Sequence, residues 1–258
     1  MGDVDEGPAR RAAMHAALGE PVRLALVDRL VLGDASPGEL GGELGIPTNL
    51  LAHHLRVLDQ AGVIRRVRSE GDRRRSYVQL VTGDPLVAQL TGPLAPVAGG
   101  AGQAARVVFV CTHNSARSPL AAAAWSRISA VPAASAGTDP APRVHPRAVR
   151  VARRHDLDLG QARTAGLAEV VQPGDLVVAV CDSAHEELAA PGSGTSHPVP
   201  SAGRLHWSVP DPARADTDAA FEAAYQQITA RVGRLADAFA ADSRQVPAQR
   251  AVTQADGL

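Results

Sequence analysis

The chain has 258 residues, a formal net charge of -1 and 45% apolar or aromatic side chains, enough for two domains of about 100–150 residues, each with its own core. It holds no run of about 18 apolar residues that could span a membrane, and its charged first residues lack the apolar segment of a secretory signal; the expected address is the cytoplasm, with no membrane partner. Two cysteines, Cys111 and Cys181, are too few for a disulfide framework or a structural zinc site, so no metal is expected and either cysteine would act as a thiol.

Apolar residues recur at helical spacing over Arg10–Leu18 and Pro21–Leu32, which predicts two helices. Ser36, Pro37 and Glu39 have the pattern of an N-cap, a first-turn proline and a capping-box glutamate, so a short helix is expected to run to Gly45. After Ile46-Pro47, Thr48 is expected to cap a longer helix to Ala61, closed by Gly62. Val63–Arg68 and Ser76–Val81 read as strands joined by a charged hairpin at Glu70-Gly71-Asp72. Charge is unevenly placed: residues 1–95 hold 11 arginines against 12 acidic residues, and six of those 11 lie between Arg65 and Arg75.

Two short helices with a tight turn, followed by a basic hairpin, have the order of a mainly-α winged helix-turn-helix. The second helix would enter the major groove, with Thr48, Asn49, His53 and His54 at base edges and Arg56 at a phosphate. Arg65, Arg66, Arg68, Arg73, Arg74 and Arg75 would give the wing its phosphate and minor-groove contacts. The stretch LGIPTNLLAHHLRVLDQAGVIRRVRSEGDRRRSYVQL, within about residues 8–92, resembles the arsenic-repressor (ArsR) family of homodimeric bacterial repressors. That resemblance implies double-stranded operator DNA as a partner and a homodimer. Members often sense metalloids through a cysteine pair in the first helix of the motif; here that helix reads SPGELGGELG, without cysteine, so this mode of sensing is not expected.

Small residues, proline and glycine fill Pro93–Ala105, the pattern of a linker. The expected organisation is a DNA-binding domain over residues 1–95, a linker over 96–105, a second domain over 106–241 and a flexible polar tail over 242–258. After the linker, strand and helix alternate. Arg106–Val110 and Asp175–Val180 read as buried strands, and Pro119–Ser129 and Val144–His155 as helices. A long amphipathic helix, Phe221–Ala240, carries Phe221, Tyr225, Ile228, Val232, Leu235 and Phe239 on one stripe. This alternation predicts an α/β domain with a parallel sheet flanked by helices.

Between the first strand and its helix lies Cys111-Thr112-His113-Asn114-Ser115-Ala116-Arg117-Ser118-Pro119. A loop passing from strand to helix turns successive backbone N–H groups inward, and the helix N-terminus adds positive potential. Residues Thr112 to Ala116 would so cradle a tetrahedral oxyanion, and the cradle favours a thiolate on Cys111 over a thiol. Arg117 would hold two oxyanion oxygens with its planar fork, Ser118 would donate to the Cys111 sulfur, and Asn114 would brace the loop. A cysteine nucleophile needs an acid for the leaving oxygen; the candidate is Asp211, in the WSVPDP segment before the last helix.

Residues 106–240 resemble the low-molecular-weight protein tyrosine phosphatase superfamily, which includes arsenate reductases, in the Cys loop, SAGT at Ser135–Thr138, HPRAV, VVAVCD and HWSVPDP. The resemblance implies a four-stranded parallel sheet with helices on both faces, Cys111 as nucleophile, Arg117 as oxyanion ligand and Asp211 as general acid. Asp211-Pro212-Ala213-Arg214 lacks the tyrosines that follow the acid in the phosphatases, whereas His113-Asn114-Ser115 and the HW before the acid look like arsenate reductases. Arsenate is thus favoured over phosphotyrosine as the oxyanion. Cys181 falls where thioredoxin-coupled reductases keep a resolving cysteine, but the third cysteine of that relay is missing. An external thiol, mycothiol or glutathione, is the expected co-substrate, with no bound cofactor, and Cys181 is either a resolving thiol or an inert core thiol. The expected whole is a fused transcriptional regulator and arsenate reductase serving arsenic resistance. The alternatives are a phosphatase fused to a regulator, and a repressor whose second domain only senses an oxyanion or redox state.

Overall fold

The structure, a computed structural model, describes residues 6–91, 104–190 and 203–252. The chain divides into two compact units, Met1–Leu94 and Ala95–Leu258; most of the linker expected at 96–105 lies outside the described residues.

The first unit runs α1 (Glu6–Leu18), α2 (Pro21–Leu30), α3 (Pro37–Leu44), α4 (Thr48–Gln60), β1 (Ile64–Arg68), β2 (Ser76–Leu80) and α5 (Pro85–Leu90). Local chemistry sets most of these limits. The Glu20 carboxylate accepts from the Val22 and Arg23 amides at the start of α2. Ser36 and Glu39 close a reciprocal capping box on α3, which ends at Gly45 with φ 64°, a left-handed position suited to glycine. Thr48, expected as the cap of α4, is instead its first residue. The N-cap is Pro47, whose fixed extended conformation presents its carbonyl to the Leu51 amide at 2.9 Å, with no side-chain cap. The strands pair antiparallel, Arg66 opposite Val78, and Ala35 adds a short bridge to Val78. Helices and hairpin close on one core that includes Met14, Leu26, Leu30, Leu40, Leu55, Leu58, Ile64 and Val78.

The second unit runs β3 (Val107–Cys111), α6 (Arg117–Ile128), β4 (Ala133–Gly137), α7 (Pro146–Arg154), α8 (Leu167–Val170), β5 (Leu176–Ala179), α9 (Asp182–Ala189), β6 (Arg204–His206), α10 (Pro212–Ala215) and α11 (Asp218–Val252). Its sheet is four-stranded and wholly parallel, in the order β4-β3-β5-β6. All five β3 side chains are buried, as a strand covered on both faces requires. On one face Val108, Val110, Val177 and Ala179 pack with Ala184 and Leu188 of α9 and Leu167 of α8. On the other, Phe109 meets Trp125 of α6 and Trp207, and Phe239 of α11 stands edge-on to Trp125 at 5.2 Å. Where a flexible tail is expected from residue 242, the backbone stays helical to Val252. Because β3 is internal, its carboxyl end opens into the crevice beyond the strand termini, the usual ligand position of open parallel sheets.

Candidate functional site

Cys111 ends β3 in register with Gly137 at the end of β4. The chain after β4 wraps the Cys loop: the amides of Thr138, Asp139, Ala141 and His145 donate to the carbonyls of Cys111, Thr112, His113 and Ser115, at 2.8–3.1 Å. In a trans peptide the N–H points opposite its carbonyl. Carbonyls turned out to the wrapping segment therefore turn the next amides, those of Thr112, His113, Asn114 and Ala116, toward the loop centre. Among the described residues, no backbone N–H from Thr112 to Ala116 donates to a protein acceptor. Six positions on, Arg117 opens the twelve-residue helix α6, whose N-terminus adds its own partial positive charge. The loop is a concave donor surface suited to a tetrahedral oxyanion.

The wrap is close enough to demand glycine at residue 137. A Cβ there would stand 2.7 Å from the Thr112 carbonyl oxygen and 3.0 Å from the Asn114 nitrogen. Asn114 holds a left-handed φ of 47°, which asparagine tolerates better than most residues. Its buried amide donates to Ser118 Oγ and Ser135 Oγ, both at 2.9 Å, and accepts from the Ala165 amide at 2.9 Å. The Asn114 side chain thus ties the loop to Ser118, Ser135 and Ala165.

Ser118 Oγ lies 3.0 Å from Cys111 Sγ and 3.3 Å from the Ala136 carbonyl oxygen. The hydroxyl has one proton and already accepts from Asn114, so a thiolate on Cys111 requires that proton to point at sulfur. Arg117 is 5% exposed; its Nη1 donates to the Val209 carbonyl at 3.1 Å and its Nη2 lies 3.4 Å from Asp211 Oδ2. Asp211 caps α10 through the Ala213 amide. Cys111, Arg117, Ser118 and Asp211, separated by up to 100 positions, therefore belong to one site. Of the other loop residues, His113 faces outward, half exposed, with Nδ1 3.0 Å from the Asp139 carbonyl oxygen. Thr112 Oγ1 lies 3.6 Å from Cys181 Sγ. Cys181 is buried at the neighbouring end of β5; burial pushes its thiol up, Arg117 pulls it down and Cys111 pushes it up, with the net direction upward.

Sequence reasoning missed Gly137, Ser135 and the Val209 carbonyl as parts of this site; only the SAGT pattern pointed to the first two. It also missed a buried pair, His206 Nε2 and Asp182 Oδ1 at 3.0 Å, with the His185 ring stacked on His206 at 4.1 Å. No group of three or more His, Cys, Asp and Glu side chains among the described residues is arranged to hold a metal ion, and no helix there is long and apolar enough to cross a membrane.

In the first unit, Thr48, Asn49, His53 and Arg56 are exposed on α4, as are Arg65, Arg66, Arg68, Arg73, Arg74 and Arg75 on the hairpin. His54 is a correction. It is buried with Nδ1 3.4 Å from Glu20 Oε2, on the side of α4 that also buries Leu51, Leu55 and Leu58, so it is not placed to reach a base edge. Arg74 forks onto Asp72 with two contacts of 3.0 Å, and Arg65 donates to Gln79, which in turn donates to the buried carboxylate of Asp34 at 2.7 Å.

Comparison with known proteins bears on the second unit. Among solved structures, the tyrosine phosphatase Wzb from Escherichia coli K30, crystallised with sulphate, is 24% identical over 52% of this chain and 96% of its own, with a TM-score of 0.44. The arsenate reductase from Archaeoglobus fulgidus DSM 4304 is 27% identical over 50% of this chain and 98% of its own, with a TM-score of 0.41. A YwlE mutant from Bacillus subtilis is 22% identical over 51% and 95%, with a TM-score of 0.44. No curated protein matches the chain. Residues 106–245 match the family described as low molecular weight phosphotyrosine protein phosphatase, and on that match, over more than half its length, the chain belongs to this family.

Proposed function

We propose that the second unit is an arsenate reductase served by an external low-molecular-weight thiol, and that the first binds operator DNA as a homodimer, joining a regulator to its enzyme. The observation that carries the choice of oxyanion is the fate of the aromatic residues. The chain has seven Phe, Trp and Tyr side chains, and all are buried, the most exposed being Tyr225 at 6%. None stands at the surface to stack on the ring of an aryl phosphate, whereas a small inorganic anion needs only the donor loop and Arg117.

In this reading the Cys111 thiolate attacks arsenic. An S–As bond forms, and one arsenate oxygen leaves as water with a proton from Asp211. A small-molecule thiolate then attacks the Cys111 sulfur. The S–As electron pair passes to arsenic, which departs as arsenite, and a mixed disulfide remains on Cys111. A second thiol or a redoxin reduces that disulfide. Ser118 steadies the thiolate whenever Cys111 is free, and Arg117 holds the oxyanion oxygens.

The family description favours a second reading, a phosphatase fused to a regulator, in which water attacks a phospho-Cys111 adduct. Purified protein given arsenate with glutathione, mycothiol or thioredoxin, beside p-nitrophenyl phosphate, separates the two. Arsenite formed with a small thiol is expected. Aryl-phosphate hydrolysis with no arsenite from any donor would overturn the reductase.

For the first unit, support comes from the exposed Thr48, Asn49, His53 and Arg56 on one helix, next to a hairpin with six exposed arginines. One such helix reads only a half-site, hence the homodimer. Light scattering that finds a strict monomer with and without operator DNA would contradict it.

A further inference from the structure

Asp211 lies in the connection from β6 to α11, and both ends of that connection are tied down. At its start the Trp207 amide donates to the Ala179 carbonyl at 2.7 Å, beside the buried His206–Asp182 pair. At its end Asp216 takes a left-handed φ of 46°, and its carboxylate meets Arg147 of α7. Arg147 Nε donates to Asp216 Oδ1 at 2.7 Å, while its Nη1 pairs with Asp218 at the start of α11. Arg150 Nη2 stands 3.4 Å from the same Asp218 oxygen, and His145 Nε2 stands 3.7 Å from Asp216 Oδ1.

The same turn of α7 is fastened to the Cys loop. The His145 amide donates to the Ser115 carbonyl at 2.8 Å, and the His145 ring stacks on Phe221 of α11 at 4.8 Å. The first turn of α7 therefore touches the loop that carries Cys111 and, through Arg147, the exit of the loop that carries Asp211. Between Asp211 and Asp216 lies only the single turn α10. Asp216 therefore stands one helical turn along the chain from the carboxylate that faces Arg117.

We infer that Arg147 is a positioning residue for the general acid: by bridging Asp216 and Asp218 it sets where Asp211 stands over the Cys111 cradle. The inference rests on the assignment of Asp211 as acid in the proposed reaction. Arg147, Asp216 and Asp218 are 29%, 57% and 54% exposed, and ion pairs so open to water add little to folding stability. What the bridge supplies is geometry, and small displacements of a catalytic group are costly in rate.

The test compares Arg147→Ala, Arg147→Lys, Asp211→Asn and the Arg147→Ala/Asp211→Asn pair in the full chain. Turnover is measured on arsenate with a small thiol and, in parallel, on p-nitrophenyl phosphate, because Asp211 serves the leaving oxygen of either. Arg147→Ala should lower kcat about tenfold with KM and melting temperature nearly unchanged, and Arg147→Lys should recover part of the loss. In the Asp211→Asn background Arg147→Ala should cost nothing further, since an absent acid cannot be misplaced. Losses that multiply in the double variant, or an unchanged kcat in Arg147→Ala beside an impaired Asp211→Asn, overturn the inference alone. An Asp211→Asn variant with full kcat on the substrate turned over overturns the acid assignment and the inference with it.

Discussion

Arg117 Nη2 and Asp211 Oδ2 lie 3.4 Å apart, and Arg117 Nη1 donates to the Val209 carbonyl at 3.1 Å. One arginine thus connects the start of α6 to the segment that carries Asp211, so the group proposed to bind the oxyanion is oriented by the backbone of the loop proposed to protonate its leaving oxygen.

Gly137 is expected to accept no side chain. A Cβ there would meet backbone atoms of Thr112 and Asn114 at 2.7–3.0 Å, and backbone in a four-point wrap cannot swing aside as a flexible side chain can. Gly137→Ala should lower stability by about 1–3 kcal/mol, the usual cost of overpacking, and abolish turnover by deforming the cradle. Chemical denaturation with a turnover assay checks this; wild-type values in both would show that the loop yields.

Cys181 should behave as a quiet thiol. Burial pushes its pKa up, against the pull of Arg117 and with the push of Cys111, so near neutral pH it is protonated and a poor nucleophile. Mass spectrometry after iodoacetamide treatment should find it unlabelled in folded protein and labelled after unfolding. Cys181→Ala should keep most of its arsenate turnover with a small thiol supplied. Rapid labelling in the folded state, or loss of turnover with a normal melting temperature, would assign it a resolving role.

The hairpin arginines should act through phosphates. Replacing Arg73, Arg74 and Arg75 with Ala should weaken binding across DNA sequences and flatten the log–log salt dependence by about 0.9 for each phosphate left without its arginine. Arg74 already holds Asp72 at 3.0 Å, so its contribution should be the smallest of the three. An unchanged slope would remove the hairpin from the interface, while Asn49→Ala or His53→Ala should change sequence preference instead.

What can be read from the sequence is what local chemistry determines. The Ser36–Glu39 box, the Cys111–Arg117 spacing and the apolar stripe of α11 each lie within a few turns of chain. The strands β4, with sequence AASAG, and β6, of three residues, carry almost no apolar signal because their neighbours supply the pairing; only family resemblance implies four strands. Helix α5 escapes the sequence reading although Asp84-Pro85 is a cap followed by a first-turn proline. His54 is misplaced by that reading because a histidine on an amphipathic helix faces solvent or core according to what packs opposite, here Glu20, 34 positions away. Arg147 lies 69 positions from Asp216, and no spacing rule connects them.

The most direct measurement is the mass of the enzyme stalled in turnover with arsenate and a small thiol, without a redoxin to release it. Cys111 is expected to carry one molecule of that thiol as a mixed disulfide, Cys181 to stay reduced, and Cys111→Ser to form neither adduct nor arsenite while still binding DNA. A predominant Cys111–Cys181 disulfide, or arsenite produced by the Cys111→Ser variant, would contradict the external-thiol mechanism.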